Sequence, residues 1–175
     1  MEVVCDEFFQ LPAADKMHLY SDDKSKPNRL FSGSTYKSSS TMYWMDCLRL
    51  TRNFPTADSI SNWPDKPQML REQTRGLGME LLQMVCEGMG LRPGYFDGDL
   101  TGGDMVLSVI RYPPCPDPSK TLGLPPHCDR NLLTLVLSGR VQGLEVFYNG
   151  DWIKVEPIPN SFVVNFGLQI EVIDH

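Results

Sequence analysis

The change in hydrophobic period near Met105 constrains the fold of this chain more than any other feature of its sequence. Within Leu70–Met89 an apolar residue recurs every four positions, which predicts an amphipathic helix. The stripe consists of Leu77, Leu81 and Val85, with Met84 on the same side. After Met105, apolar and polar residues alternate over short segments, which predicts strands. Helices followed by antiparallel strands indicate a mainly β fold with flanking helices (α+β), built as a β-sandwich or barrel that carries a helical layer.

Five segments after Met105 carry this alternation and are predicted to be strands. They are Met105–Tyr112, Leu132–Leu137, Leu144–Tyr148, Asp151–Val155 and Ser161–Phe166. The pair Asn149-Gly150 connects the third segment to the fourth and is typical of a two-residue hairpin turn. We therefore expect an antiparallel hairpin at this point.

The first half of the chain has weaker patterns. Val3–Phe9 and Ala13–Tyr20 have helical spacing, and the aromatic, alternating segment Met42–Leu50 is typical of a strand. The polar and turn-rich segment Ser21–Ser40 predicts a surface loop around a short Arg29–Phe31 segment.

Two glycines, Gly76 and Gly78, lie inside the predicted long helix. Each costs the helix roughly 1 kcal/mol relative to alanine. We therefore expect another part of the chain to pack closely against the helix at these two positions.

Composition excludes several classes of protein. The chain has 175 residues, of which 41% are hydrophobic and 22% charged, and this suits one globular domain. No apolar run approaches the roughly 20 residues of a membrane helix. A net charge of −6 with no Lys/Arg block argues against nucleic acid as a partner. Five cysteines without a C-x-x-C pair, and no basic–apolar leader, predict a reduced, cytoplasmic protein. We also expect a monomer.

The motif His127-Cys128-Asp129 has the clearest chemical potential. Residues i and i+2 of an extended backbone share a face, so the imidazole and the carboxylate converge while Cys128 points away and is expected to pack. An imidazole and a carboxylate are two of the three ligands in the 2-His-1-carboxylate triad that binds non-haem Fe(II). An H-x-D pair alone is also typical of a surface His–Asp hydrogen bond, and a generic metal hydrolase is a further interpretation.

Several motifs then follow one another in a fixed order. They are Tyr112-Pro113-Pro114-Cys115-Pro116, Pro126-His127-Cys128-Asp129, Gly143-Leu144-Glu145-Val146, Asp151-Trp152 and Phe162-Val163-Val164-Asn165-Phe166-Gly167. In this order they resemble the plant 2-oxoglutarate- and Fe(II)-dependent dioxygenases. Upstream, the segments 28–33, 63–67 and 74–80 look most like the hyoscyamine 6-dioxygenase group within that family.

The resemblance implies a double-stranded β-helix, or jelly roll, with helices outside it. It implies that His127 and Asp129 are the first two iron ligands and that the Tyr112 hydroxyl hydrogen-bonds the carboxylate of 2-oxoglutarate. The implied reaction consumes O₂ and converts 2-oxoglutarate to succinate and CO₂, with ascorbate in support. A small-molecule substrate such as an alkaloid or flavonoid is hydroxylated, desaturated or epoxidised.

Departures from the family pattern predict a fragment of a family member, with the jelly roll truncated at both ends. The family's distal His lies further from the aspartate than His175 does, and no Arg-x-Ser motif supplies the arginine for 2-oxoglutarate. The family's Asn-x-Tyr is Ile110-Arg111-Tyr112 here. Within one structural domain, we expect 1–104 to be a helical and loop support region and 105–175 an incomplete jelly-roll core with the iron site. The alternative is a catalytically inactive, truncated member that lacks the distal His ligand and the 2-oxoglutarate-binding Arg, and that misfolds or binds a partner through an open sheet edge.

Overall fold

A computed structural model describes residues 2–26, 28–33, 42–51, 66–96 and 105–174. The helices are α1 (Glu2–Gln10), α2 (Ala13–Lys16), α3 (Lys66–Gly88) and α4 (Leu168–Asp174), with single 3₁₀ turns at Met17–Leu19 and Pro118–Lys120. The strands are β1 (Arg29–Ser32), β2 (Met42–Tyr43), β3 (Asp46–Leu50), β4 (Leu107–Arg111), β5 (Thr121–Leu122), β6 (Leu133–Val136), β7 (Glu145–Tyr148), β8 (Asp151–Lys154) and β9 (Val163–Phe166).

The five strands predicted after Met105 are confirmed as β4, β6, β7, β8 and β9, each slightly shorter than its alternating segment. The predicted hairpin is β7–β8, in which Tyr148 pairs with Asp151. Asn149 and Gly150 have φ angles of 50° and 94°, the left-handed values that a type I′ turn needs at both central positions.

An antiparallel sheet in the order β1-β3-β4 contains the main core. On one side, which we call the α1 face, Phe8 and Phe9 of helix α1 pack against every second residue of the strands. This cluster contains Phe8, Phe9, Leu19, Leu30, Leu48 and Leu50, with Leu107 and Val109 packed against it. The other side, the Cys47 face, carries Phe31 and Cys47, which pack with Met45 and Leu124.

The segment Arg29–Phe31 corrects the prediction of a surface loop. It is strand β1, and Arg29, Leu30 and Phe31 are 6%, 4% and 2% exposed. The polar residues that flank it dominated the sequence pattern, whereas pairing of β1 with β3 decides its burial. The predicted strand Met42–Leu50 is likewise divided into β2 and β3.

The long helix is confirmed as α3, but its buried side differs from the predicted stripe. Leu82 and Cys86 are buried with Phe96 and Ile170, and Val85 of the predicted stripe packs against this cluster. Leu77 and Met84 of the stripe are exposed. The partners decide this orientation, and one of them, Ile170, comes from the unpredicted helix α4. No described atom lies within 4 Å of a Cβ built on Gly76 or Gly78, so the predicted close packing is wrong for the described part of the chain.

The remaining strands form two-stranded units. β6 pairs with β9 and β7 with β8, both antiparallel, and the short β2 and β5 pair in parallel. β4 pairs with β3 across the predicted boundary between 1–104 and 105–175, so the two regions share a sheet. Among the helices that the structure describes, none is long and apolar enough for a membrane span.

Candidate metal and cosubstrate site

His127 and Asp129 lie side by side, as their two-residue spacing predicts. His127 Nε2 is 3.5 Å from Asp129 Oδ1. The histidine side chain is 53% exposed and the aspartate 27% exposed, so solvent and small ligands reach both. The residue between them, Cys128, is exposed and does not take the packing role expected of it.

The backbone carbonyl of Pro125 determines which imidazole nitrogen faces Asp129. His127 Nδ1 lies 2.8 Å from Pro125 O. A carbonyl oxygen only accepts hydrogen bonds, so Nδ1 carries the proton in the neutral ring and the Nε2 lone pair points towards the carboxylate. Metal-binding histidines in proteins almost always donate their second nitrogen in this way.

The spacing of the two donor atoms fits a shared metal ion. Imidazole nitrogen and carboxylate oxygen bind metals such as zinc at about 2.1 Å, so two donors of one ion are at most about 4.2 Å apart. The observed 3.5 Å between Nε2 and Oδ1 lies inside that limit. Within the described residues, no group of three His, Cys, Asp or Glu side chains is placed to hold a metal. His175, the one histidine that follows Asp129 in the sequence, is outside the described residues.

The chain after Asp129 is held by a tight backbone contact with the end of β9. The amide of Leu168 donates to Asp129 O at 2.8 Å, and that of Gly167 donates to Leu132 O at 2.9 Å. A Cβ at Gly167 would overlap the carbonyl of Asn131. Only glycine therefore permits this approach, which gives the final residue of the Asn165-Phe166-Gly167 motif a structural reason.

Tyr112 follows β4 and packs on a second glycine. A Cβ on Gly123 would lie 2.8 Å from Tyr112 Cε1, so the ring occupies space that any other residue would fill. Tyr112 is 54% exposed. The loop that contains Gly123 continues through Leu124 and Pro125 to His127, so the chain connects the tyrosine's neighbour directly to the candidate ligands.

Strand alternation places Tyr112 on the Cys47 face of the sheet. Leu107 and Val109 pack on the α1 face, and the Arg111 guanidinium lies 5.8 Å from the ring of Phe9 on that side. Ser108, Ile110 and Tyr112 therefore point to the opposite face. Arg111, although adjacent to Tyr112, faces away from it.

Two arginines on the Cys47 face were not predicted as site residues. Arg29 is paired with Arg49 across β1 and β3, and Arg49 with Ser108 across β3 and β4. The alternation in Arg29-Leu30-Phe31 and in Cys47-Leu48-Arg49 was available in the sequence. Without the register between strands, however, nothing in the sequence places the two arginines together.

Residues 103–175 match the family model of the 2OG-Fe(II) oxygenase superfamily. The chain is 59% identical over 99% of its length to 2′-deoxymugineic-acid 2′-dioxygenase of Hordeum vulgare, of which it covers 53%. It is 40% identical over 97% of its length to hyoscyamine 6-dioxygenase of Hyoscyamus niger, of which it covers 54%. The chain thus spans about half the length of the curated relatives it matches.

A solved structure shows the same fold. A 2OG-Fe(II) oxygenase family protein from Caulobacter crescentus superposes with a TM-score of 0.76 at 23% identity, over 96% of this chain and 59% of that one. The architecture is the jelly roll with flanking helices, and the predicted fold class is confirmed.

Proposed function

We propose that the chain belongs to the 2OG-Fe(II) oxygenase superfamily, whose family model matches residues 103–175, and that the whole protein is a 2-oxoglutarate-dependent dioxygenase. Its substrate is a small metabolite of the kind that plants make in specialised metabolism. The observation that carries the proposal is the pair of donors His127 Nε2 and Asp129 Oδ1, 3.5 Å apart within the segment that matches the family model.

In this function His127 and Asp129 would hold Fe(II), and the Tyr112 hydroxyl would donate a hydrogen bond to a carboxylate oxygen of 2-oxoglutarate. When bound with O₂, the metal and 2-oxoglutarate supply a two-electron oxidation of the substrate, with succinate and CO₂ as co-products. The Pro125 carbonyl keeps His127 in the tautomer that leaves Nε2 free for the metal. The absence of a side chain at Gly123 leaves the space that the Tyr112 ring occupies.

The substrate that we propose is 2′-deoxymugineic acid or a close organic acid. The support is the 59% identity with a barley dioxygenase whose name states that substrate. Identity with hyoscyamine 6-dioxygenase is lower, at 40%, which makes an alkaloid the second choice. We further propose a cytoplasmic monomer that uses ascorbate as a supporting reductant.

Anaerobic titration with Fe(II), followed by assay of succinate release from 2-oxoglutarate, tests the function. We expect His127→Ala and Asp129→Ala to lose Fe(II) binding and succinate release together. Cys128→Ser is the matched control, since its exposed side chain lies between the two ligands in sequence. The catalytically inactive alternative is supported if the unmodified protein binds no Fe(II) and releases no succinate.

Tyr112→Phe tests the cosubstrate role separately. We expect an unchanged Fe(II) affinity and a KM for 2-oxoglutarate raised about 2- to 12-fold, equivalent to a hydrogen bond of about 0.5–1.5 kcal/mol. An unchanged KM would remove Tyr112 from the cosubstrate site and leave the proposed metal ligands intact.

A further inference from the structure

A row of two arginines and a serine crosses the three-stranded sheet on the Cys47 face. The backbone register sets Arg29 directly opposite Arg49, and Arg49 directly opposite Ser108. Directly opposed residues have Cβ atoms only about 5 Å apart, and like charges in that arrangement destabilise a sheet. The row is therefore unfavourable for folding unless something negative binds to it.

Arg29 needs a negative partner more than Arg49 does, because Arg29 is buried and Arg49 is exposed. Arg29 is 6% exposed, its Nε has no hydrogen-bond partner, and its Nη1 makes one long contact of 3.4 Å with Ser21 O. The guanidinium carbon also lies 4.1 Å from the centre of the Phe31 ring, which compensates part of the charge. No carboxylate of the described residues forms an ion pair within 4.0 Å of Arg29 or Arg49. Arginine is almost never buried in this way without a paired anion.

The charges of both arginines reach the Cys47 thiol. Hydrogen bonds from Ser25 are the main cause that lowers the pKa of the exposed Asp23 carboxyl, and the charge of Arg29 also lowers it. Arg49 and Arg29 each lower the pKa of the Cys47 thiol, although burial has the larger effect and raises that pKa to about 11. The side chain of Ser108 hydrogen-bonds the same thiol. Cys47 is therefore neutral near pH 7 and supplies no negative charge to the two arginines.

Cys47 lies on the face that also carries Tyr112. Ser108 and Tyr112 are four residues apart along the end of β4, a distance of about 14 Å at roughly 3.4 Å per residue. The two carboxyl carbons of 2-oxoglutarate are separated by four carbon–carbon bonds of about 1.5 Å each, roughly 6 Å at most. 2-Oxoglutarate carries carboxylates of the same chemistry, so the binding experiment below measures its affinity separately from that of the primary substrate.

We propose that Arg29, Arg49 and Ser108 form a subsite that binds a carboxylate of the primary substrate. This inference rests on the proposed function and names its substrate class: an organic acid long enough to reach from the metal to the arginine row. Buried Arg29 presents a fixed positive charge, and exposed Arg49 adds a second guanidinium that pairs with a carboxylate through two hydrogen bonds. The Ser108 hydroxyl supplies a neutral donor beside them. A cationic alkaloid would be repelled by the same row.

Equilibrium binding to the whole protein tests the subsite, with 2′-deoxymugineic acid, hyoscyamine and 2-oxoglutarate as three separate probes. We expect Arg49→Gln to raise the Kd for 2′-deoxymugineic acid at least about tenfold and to leave the Kd for 2-oxoglutarate within about twofold. Arg49→Lys should recover part of the loss because it restores the charge without the planar pair of donors. Arg140→Gln is the matched control, since that side chain is 93% exposed and lies outside the sheet.

Three results would each overturn the inference. The first is an unchanged Kd for the acid in Arg49→Gln. The second is a loss of affinity in Arg49→Gln that affects 2-oxoglutarate alone. The third is an unmodified protein that binds hyoscyamine and not the acid. Arg49 is exposed, so its variants are expected to fold, and thermal melting checks this before binding is measured.

Binding of the acid measured in metal-free buffer, together with the succinate assay run with Fe(II) and O₂, separates this inference from the proposed function. Arginine-dependent binding of the acid without succinate release would retain the subsite and reject the dioxygenase. Succinate release, together with a Kd for the acid that is the same in the unmodified protein and in Arg49→Gln, would support the dioxygenase and contradict the subsite.

Discussion

The β1-β3-β4 sheet and the β7–β8 hairpin have the same alternating sequence pattern and opposite surroundings. In the sheet, Leu48 and Leu50 are 0% and 1% exposed beneath α1. In the hairpin every residue of both strands is exposed, and Phe147 packs mainly on Trp152, with ring centres 5.2 Å apart. The difference teaches that alternation specifies strand conformation, whereas burial depends on a partner element elsewhere in the chain.

The largest effect is expected from removing a core side chain of the sheet. Leu48→Ala should lower the free energy of unfolding by about 2–5 kcal/mol, because it leaves a cavity under α1. Ile153→Ala, in a hairpin strand where the side chain is 48% exposed, should cost less than about 1 kcal/mol. Urea unfolding monitored by circular dichroism measures both. Equal losses would show that the hairpin is as well packed as the sheet.

The buried thiol of the sheet predicts a loss of stability at high pH. Burial raises the pKa of Cys47 to about 11 from its ordinary value of 9.0. The folded state therefore holds this proton more tightly than the unfolded state, and the stabilisation is complete below pH 9 and is lost as pH rises to about 11. The loss should reach about 2–3 kcal/mol.

Unfolding measured from about pH 8 to about pH 11 tests this, with Cys47→Ala as the comparison. The wild-type and variant curves should diverge above the ordinary thiol pKa of 9.0. Parallel curves would mean that Cys47 ionises as readily in the folded sheet as in the unfolded chain.

The β6–β9 pair has tight backbone contacts at its end, while the side chains of its strands are only partly buried or exposed. Gly167→Ala should cost about 1–3 kcal/mol, because the added methyl group overlaps the Asn131 carbonyl and pushes apart the segment that follows Asp129. Fe(II) affinity should fall with it. Gly143→Ala is the control, since no described atom lies within 4 Å of the position that its methyl group would take. A neutral Gly167→Ala would mean that this segment moves without cost.

The smallest effect has the opposite sign. Arg49→Gln should stabilise the substrate-free protein by about 0.2–1 kcal/mol, because it removes the repulsion between opposed arginines. The melting temperature should rise slightly, and the rise should shrink as salt is added. A lower melting temperature at every salt concentration would show that Arg49 contributes a favourable contact to the sheet.

Local patterns were sufficient for part of this molecule. Asn149-Gly150 predicted the hairpin because the turn needs only two residues with positive φ. The spacing of His127 and Asp129 predicted their approach because alternation on an extended backbone is a local property. The division of the chain at residue 105 stays a prediction.

The sequence patterns did not predict features that depend on contacts between distant parts of the chain. The four-residue stripe from Leu77 pointed to one side of α3, but contact with Phe96 and Ile170 turned Leu82 and Cys86 inward instead. Helix α4 has only seven residues, which is too short for a helical period to show clearly. The arginine row requires the register of three strands, and no single segment of sequence contains it.

The contact between His127 and the Pro125 carbonyl has a thermodynamic consequence for the unfolded chain. The donor atoms of His127 and Asp129 belong to residues only two positions apart, and the carbonyl that sets the tautomer lies two residues before His127. The loop-closure entropy of bringing them together is therefore small. We therefore expect the unfolded polypeptide to bind metal ions weakly through the same two side chains. A ligand that also binds the unfolded state stabilises the fold less than its affinity for the native site implies. Added metal should raise the melting temperature by less than the native Kd alone would give.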